Sequence, residues 1–209
     1  MKSVLLLNAS PLGADARGHA LALRAVDNLR AAHPGLRLLA RDLSRGGFGA
    51  VDAAYAHAII GGAGPEAPAF RRSEALIAEL EQTDALVIST PMHNYTVPAA
   101  LKLWIDLVLR AGRSFGFRDG RKVGLLADRP VLVVLASGGL IGSGARQPDH
   151  LTGYLTDVLA TIGIGAPQFL CLEGLARAET AQGVLAGARA RLDALPVFGR
   201  AAAQRAIAS

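Results

Sequence analysis

Little in this chain can crosslink it, anchor it in a bilayer or hold a metal. Of 209 residues only Cys171 carries a thiol, so no disulfide can form within the chain. The five histidines are scattered, and no second His, Cys or carboxylate stands at ligand spacing from His93, so no metal site is expected. No apolar run approaches the roughly 20 residues that span a membrane. Val4-Leu5-Leu6-Leu7 is too short for the core of a signal peptide and leads straight into Asn8-Ala9-Ser10-Pro11. A cytoplasmic protein with no membrane partner is therefore expected. Aromatic residues make up only 5%, and no basic-aromatic stripe of the kind that binds nucleic acid is present. Lysine is scarce too: 19 of the 22 basic residues are arginine, spread along the chain. The net charge of +5 then implies a mild preference for anionic ligands and no nucleic-acid partner. Walker loops, nucleophile elbows, repeats and linkers are missing as well.

What the chain has is alternation. Apolar runs expected as strands lie at 3–7, 36–43, 85–90, 131–135 and 168–172. Between and after them, helices are expected at 16–32, 51–60, 70–82, from Pro98 past Val108, at 150–162 and at 179–195. Strands alternating with helices imply an α/β fold with right-handed crossovers. Five such units match a flavodoxin-like, doubly wound, five-stranded parallel sheet of order 2-1-3-4-5. One domain, 1–209, accommodates it, with 199–209 expected to fray. The stretch 112–127 reads as a long connection without regular structure, which is often functional.

Three unusual loops follow strands one, three and four, which are neighbours in that order and so share one crevice. The most specific is Pro91-Met92-His93-Asn94-Tyr95-Thr96-Val97-Pro98. It offers a thioether and two rings to the face of a planar ligand, with an asparagine and backbone amides for its edge. The loop from Ser10 to Gly18 precedes a helix, whose free N–H groups and dipole suit a phosphate. The competing reading is a plain loop in which Asp15 caps the helix. Ser137-Gly138-Gly139 is either a simple turn or a close backbone approach to a ligand. Phe115 and Phe117 fit a satellite core or a pocket lid equally well. Trp104, at helical spacing, reads as core or interface.

These residues bring a family into view. Pro91-Met92-His93-Asn94-Tyr95-Thr96-Val97-Pro98, with Leu101-Lys102 and Trp104-Ile105-Asp106, resembles the FMN-dependent NADH azoreductases and NAD(P)H:quinone oxidoreductases of the flavodoxin-like superfamily. Arg110-Ala111-Gly112 with Ser114-Phe115, the Ser137-Gly138-Gly139 turn and Glu173-Gly174 match as well. The chain departs from the family pattern at Ala16 and Gly18, where serines are usual, and at His93, where Tyr or Trp is usual. The resemblance implies FMN as cofactor and NADH or NADPH as reductant. It implies a quinone or azo compound as acceptor, a ping-pong sequence and a homodimer with its sites at the interface. It places the phosphate at Ser10, Ala16, Arg17 and Gly18. The ring would lie along Pro91, Met92, His93, Asn94 and Tyr95, and its far edge at Ser137, Gly138 and Gly139. The acceptor pocket would use His93, Tyr95, Phe115 and Phe117. No side chain is an obligatory catalyst, because the flavin carries the chemistry. Two rivals stand beside this: a flavin-binding or partner protein without turnover, favoured by Ala16 and Gly18, and a hydrolase of the acyl-carrier-protein phosphodiesterase type, which would need a nucleophile or metal that the sequence does not show.

Overall fold

The continuous apolar run of the first strand is covered on both faces by two separate layers. The computed structural model describes residues 1–45, 49–142, 144–145 and 147–200. In chain order its elements are β1 (Ser3–Asn8), α1 (Arg17–Ala32), β2 (Arg37–Asp42), α2 (Ala53–Ile60), α3 (Arg71–Glu81), β3 (Ala85–Pro91), α4 (Ala99–Val108), β4 (Phe115–Arg118), β5 (Arg121–Gly124), β6 (Val131–Ala136), α5 (Thr152–Thr161), β7 (Gln168–Leu172) and α6 (Ala178–Asp193). Successive residues of a strand face opposite sides. Val4 and Leu6 therefore join Leu21, Ala25 and Leu29 of α1 and Leu192 of α6 on one face. Leu5 and Leu7 join Leu76 and Ile77 of α3, Trp104 and Ile105 of α4 and Leu155 of α5 on the other. Covered on both faces, β1 and β6 are near-continuous apolar runs, as buried parallel strands are.

The five-stranded sheet is parallel throughout, with order β2-β1-β3-β6-β7. In chain numbering this is not 2-1-3-4-5, because β4 and β5 form a separate two-stranded sheet inserted before the fourth strand of the main one. Register centres on Leu6 opposite Val87, and Val87 opposite Leu132. β2 lies at the edge and is only partly covered, which accounts for its mixed sequence.

The inserted strands correct the expectation of an unstructured 112–127 connection. Asp119 (φ 50°) and Gly120 (φ 73°) make a left-handed two-residue turn, the geometry that Asp-Gly favours between antiparallel strands. At the base of the hairpin, Ser114 Oγ accepts the Arg110 N–H, and the Arg110 guanidinium pairs with Glu74 of α3. Arg113 reaches both Glu74 (2.9 Å) and Glu81 (2.6 Å). Burial alone would raise the Glu74 carboxyl, but hydrogen bonds from Arg110 and Arg113 outweigh it and hold it below the usual carboxylate range. The pairing with Glu81 and Glu74 raises Arg113 in turn. At the other end Gly124 lies against the turn after α5, so close that a Cβ would fall 2.0 Å from the Gly163 nitrogen.

Two smaller corrections concern helix starts. Asp15 does not cap α1: it ends a short 3-10 turn, Gly13–Asp15, and the cap position is Ala16, whose side chain offers no acceptor. Pro98 sits one place before α4, with its carbonyl accepting the N–H groups of Leu101 and Lys102. The expected frayed tail lies outside the described residues from 201 onward, as does the 46–48 part of the glycine-rich loop after β2.

Candidate active site

A parallel sheet delivers all its strand ends to one edge, and at that edge the order reverses between β1 and β3. The loops leaving these strands diverge to opposite faces and open a crevice. A cavity of about 420 Å³ occupies it, lined by Ser10, Asp15, Ala16, Arg17, Gly18, Thr90, Pro91 and Leu175, among others. That volume lies within the range of small-molecule sites, about 300–1,000 Å³.

The floor is built locally. Asn8 Nδ2 donates to the Gly13 carbonyl (3.0 Å) and Ser10 Oγ accepts the Leu12 N–H (3.3 Å), folding the loop after β1 back on itself. α1 then starts with no side-chain cap: the His19 N–H turns back to the Ala16 carbonyl (2.9 Å), while the Arg17 and Gly18 N–H groups have no acceptor among the described residues and are free to meet an anion. Arg17 lies over this end and donates to the Leu175 carbonyl at 3.1 Å. Asp15 opposes it with a negative charge in the same lining. Burial pushes the His19 imidazole below its ordinary value, with Asp42 acting against it. Gly18 packs on the strands beneath, where a Cβ would make ordinary contacts of 3.6 Å with Ser89 Oγ and Val134. The cradle therefore fits a phosphate held by backbone amides, with Arg17 balancing Asp15.

The loop after β3 leaves the cavity lining at Pro91. Met92 N–H donates to the Ala136 carbonyl (2.8 Å), extending the sheet by one residue. His93 and Thr96 then exchange N–H···O bonds of 2.9 and 3.1 Å across a tight turn in which Asn94 (φ 48°) and Tyr95 (φ 75°) are both left-handed. Such backbone is costly for a non-glycine residue, on the order of 1–2 kcal/mol, and strain of this kind gathers at ligand sites. It is held from outside: His150 N–H donates to the Tyr95 carbonyl at 3.0 Å, and Asp149 fixes that segment by accepting the N–H groups of Leu151 and Thr152. His93, Asn94 and Tyr95 are exposed. After β6, Ser137 is buried, while Gly138 and Gly139 line a second cavity of about 430 Å³ with Glu173 and Gly174.

Residues 2–195 match the sequence profile of the family described as having a flavodoxin-like fold. The chain belongs to that family. It is 50% identical over 182 residues to FMN-dependent NADH:quinone oxidoreductase 5 of Burkholderia lata, covering 87% of this chain and 89% of that one. It is 49% identical over 200 residues to FMN-dependent NADH:quinone oxidoreductase 4 of Pseudomonas fluorescens, covering 95% and 97%. An FMN-dependent NADH-azoreductase from Bacillus anthracis, solved in complex with FMN, superposes with a TM-score of 0.75 over 98% of this chain and 99% of that one at 21% identity. At that identity the likeness concerns the flavodoxin-like fold alone.

The crevice thus gathers Ser10, Ala16, Arg17, Gly18 and Pro91 around one cavity, with the 92–95 turn and the 137–139 turn at the ends of the two adjacent strands. Phe115 and Phe117 are not brought there. The hairpin leaves the far end of α4 and is tied to the turns that precede β7: Leu126 N–H donates to Ile162, and Gly165 N–H to Asp128. It therefore lies at the opposite end of the sheet, about 20 Å away for six-residue strands. Phe115 is buried against Phe117, which is itself 65% exposed. Sequence reasoning missed Ser89, Thr90 and Leu175 in the lining. The first two carried a signal, being hydroxyl residues that end an otherwise apolar buried strand; Leu175 carried none.

Proposed function

We propose that this chain is an FMN-dependent oxidoreductase that takes reducing equivalents from NADH and delivers them to quinones or azo compounds. The observation that carries the reading is the uncapped α1 terminus opening into a cavity at the β1–β3 switch point, in a chain half identical to an FMN-dependent NADH:quinone oxidoreductase. Bound FMN would supply hydride chemistry, accepting a hydride from the nicotinamide and passing it to the acceptor. The Arg17 and Gly18 amides, Ser10 and the Arg17 side chain would hold its phosphate. Pro91, Met92, His93, Asn94 and Tyr95 would flank the ring, and Ser137, Gly138 and Gly139 would meet its edge. His93 and Tyr95, on an exposed turn, bound the place that reductant and acceptor use in succession, so no protein side chain is required as an acid or base.

We also propose that the chain works as a single flavin-binding domain in the cytoplasm, where the lone thiol of Cys171 suits a reducing compartment. Among the described residues no helix is long and apolar enough to cross a membrane. The protein acts as a homodimer. This reading gives Phe117, exposed and remote from its own crevice, a place at the rim of the partner's.

The test is direct. Purified protein should carry or take up a yellow chromophore, extraction should yield FMN in preference to FAD, and NADH should be oxidised when a benzoquinone is present. Protein that neither contains nor takes up FMN overturns the reading. Flavin that binds without NADH oxidation favours the second one, a flavin-binding protein without turnover, to which Ala16 and Gly18 point.

A further inference from the structure

We infer that Glu173 is a positioning residue, whose carboxylate fixes the Ser137–Gly139 turn so that its amides stay available to a ligand edge; the ligand part of this rests on the flavin reading above. The turn after β6 and the turn after β7 are zipped together. Ser137 N–H donates to the Leu172 carbonyl (2.9 Å). In return the carbonyls of Ser137, Gly138 and Gly139 accept from Leu175 (3.1 Å), Ala176 (3.3 Å) and Gly174 (3.0 Å). Gly174, at φ 74°, supplies the left-handed bend that brings these donors round.

All three carbonyls of the turn are thereby occupied. Among the described residues, the N–H groups of Gly138, Gly139 and Leu140 have no acceptor, and the next two N–H groups converge on one atom. Glu173 Oε2 accepts from Ile141 at 2.8 Å and from Gly142 at 3.2 Å. Two amides on one carboxylate oxygen form a charge-assisted clamp, stronger than neutral hydrogen bonds. Glu173 thus pins the chain just beyond the three open donors and keeps the turn from folding back to satisfy them internally. A row of open amides beside a cavity suits the carbonyl-bearing edge of a planar heterocycle. Glu173 itself need not touch that ligand; it acts through the loop.

Hydrogen exchange and flavin affinity together decide the matter. Amide exchange is measured on FMN-free protein, and FMN affinity separately by fluorescence titration, in the unmodified chain and in Glu173→Ala and Glu173→Gln. Asp128→Ala serves as a stability control, since it removes a carboxylate that accepts the Gly165 N–H at the far end of the sheet. Glu173→Ala should speed exchange at Ile141 and Gly142 at least tenfold and weaken FMN binding at least tenfold. Glu173→Gln, which keeps an oxygen acceptor, should recover much of both, and the control should change neither. Should Glu173→Ala fail to fold, Glu173→Asp replaces it, its carboxylate one methylene short, with the same losses expected. Unchanged exchange at Ile141 and Gly142 overturns the clamp. Faster exchange with unaltered FMN affinity overturns its role toward the ligand. Failure of the unmodified protein to bind FMN overturns the functional reading instead, and exchange on the FMN-free chain still decides the clamp.

Discussion

His93 occupies an exposed position at the start of a strained turn. The Asn94 and Tyr95 backbones on its C-terminal side are left-handed, and two hydrogen bonds to Thr96 lock the ring's base. A side chain so placed bounds a site without being engulfed by it. Hydride transfer asks no proton of the protein, and water can protonate a reduced quinone. His93 is therefore expected to shape acceptor choice. His93→Tyr, which restores the larger ring usual in the family, should shift the ratio of kcat/KM between a benzoquinone and a bulky azo dye by a factor equivalent to about 1–3 kcal/mol. Stopped-flow reduction by NADH should change far less. Loss of that reductive step in both His93→Tyr and His93→Ala, with FMN still bound, would show instead that the ring does chemistry. The loop itself was legible in the sequence, because an apolar strand ending at Pro91 and a helix opening near Pro98 bracket six residues of unusual chemistry. The left-handed backbone of Tyr95 was not, since nothing local favours that conformation in a tyrosine; His150, 55 positions along the chain, holds it.

Among the elements, the β4–β5 hairpin departs most from expectation. Its Asp119-Gly120 turn carries the local signal, but Gly116 and the charged Arg118, Arg121 and Lys122 replace the apolar alternation that would have announced two strands. The hairpin is anchored by ion pairs from Arg110 and Arg113 to α3 and by backbone packing of Gly124 on Gly163. Because the neighbour at Gly124 is main chain, a methyl there cannot be accommodated by rotating a side chain. Gly124→Ala should destabilise the protein by about 2 kcal/mol or more, as overpacking does. For a chain of this size that corresponds to a fall in Tm of roughly 4–8 °C. The α1–β1–β3 cradle should be untouched, so FMN affinity measured well below Tm should stay within a factor of two. A Tm equal to that of the unmodified protein would mean that the hairpin is not seated on the α5 turn.

For the whole molecule, the sheet sets the limits of a single copy. Its carboxyl edge carries the crevice, while Phe117 and the basic hairpin stand at the other end. On the dimer proposed above a second copy completes the rim, and the protein is expected to sediment as a dimer at micromolar concentration, with acceptor turnover lost on dilution below the dissociation constant. Full activity in a monomer by sedimentation and light scattering would refute the shared rim and return Phe115 and Phe117 to a purely structural role.

The sequence by itself determined which segments become the five strands of the main sheet and the helices that cover it, and that three unusual loops follow three neighbouring strands. Those properties are written in local periodicity and in where glycine and proline interrupt it, so they need no knowledge of distant contacts. It also carried the family's loop signature at 91–98. The tertiary structure decided matters that depend on pairing across the chain. It put the two hairpin phenylalanines at the wrong end of the sheet for their own crevice, because α4 runs the full depth of the fold before the hairpin begins. It left α1 uncapped by moving Asp15 into a 3-10 turn. It also gave Glu173 its partners at Ile141 and Gly142, 32 and 31 positions away. A carboxylate after a strand looks the same in any sequence; only the parallel pairing of β6 with β7 brings two unpaired amides within its reach.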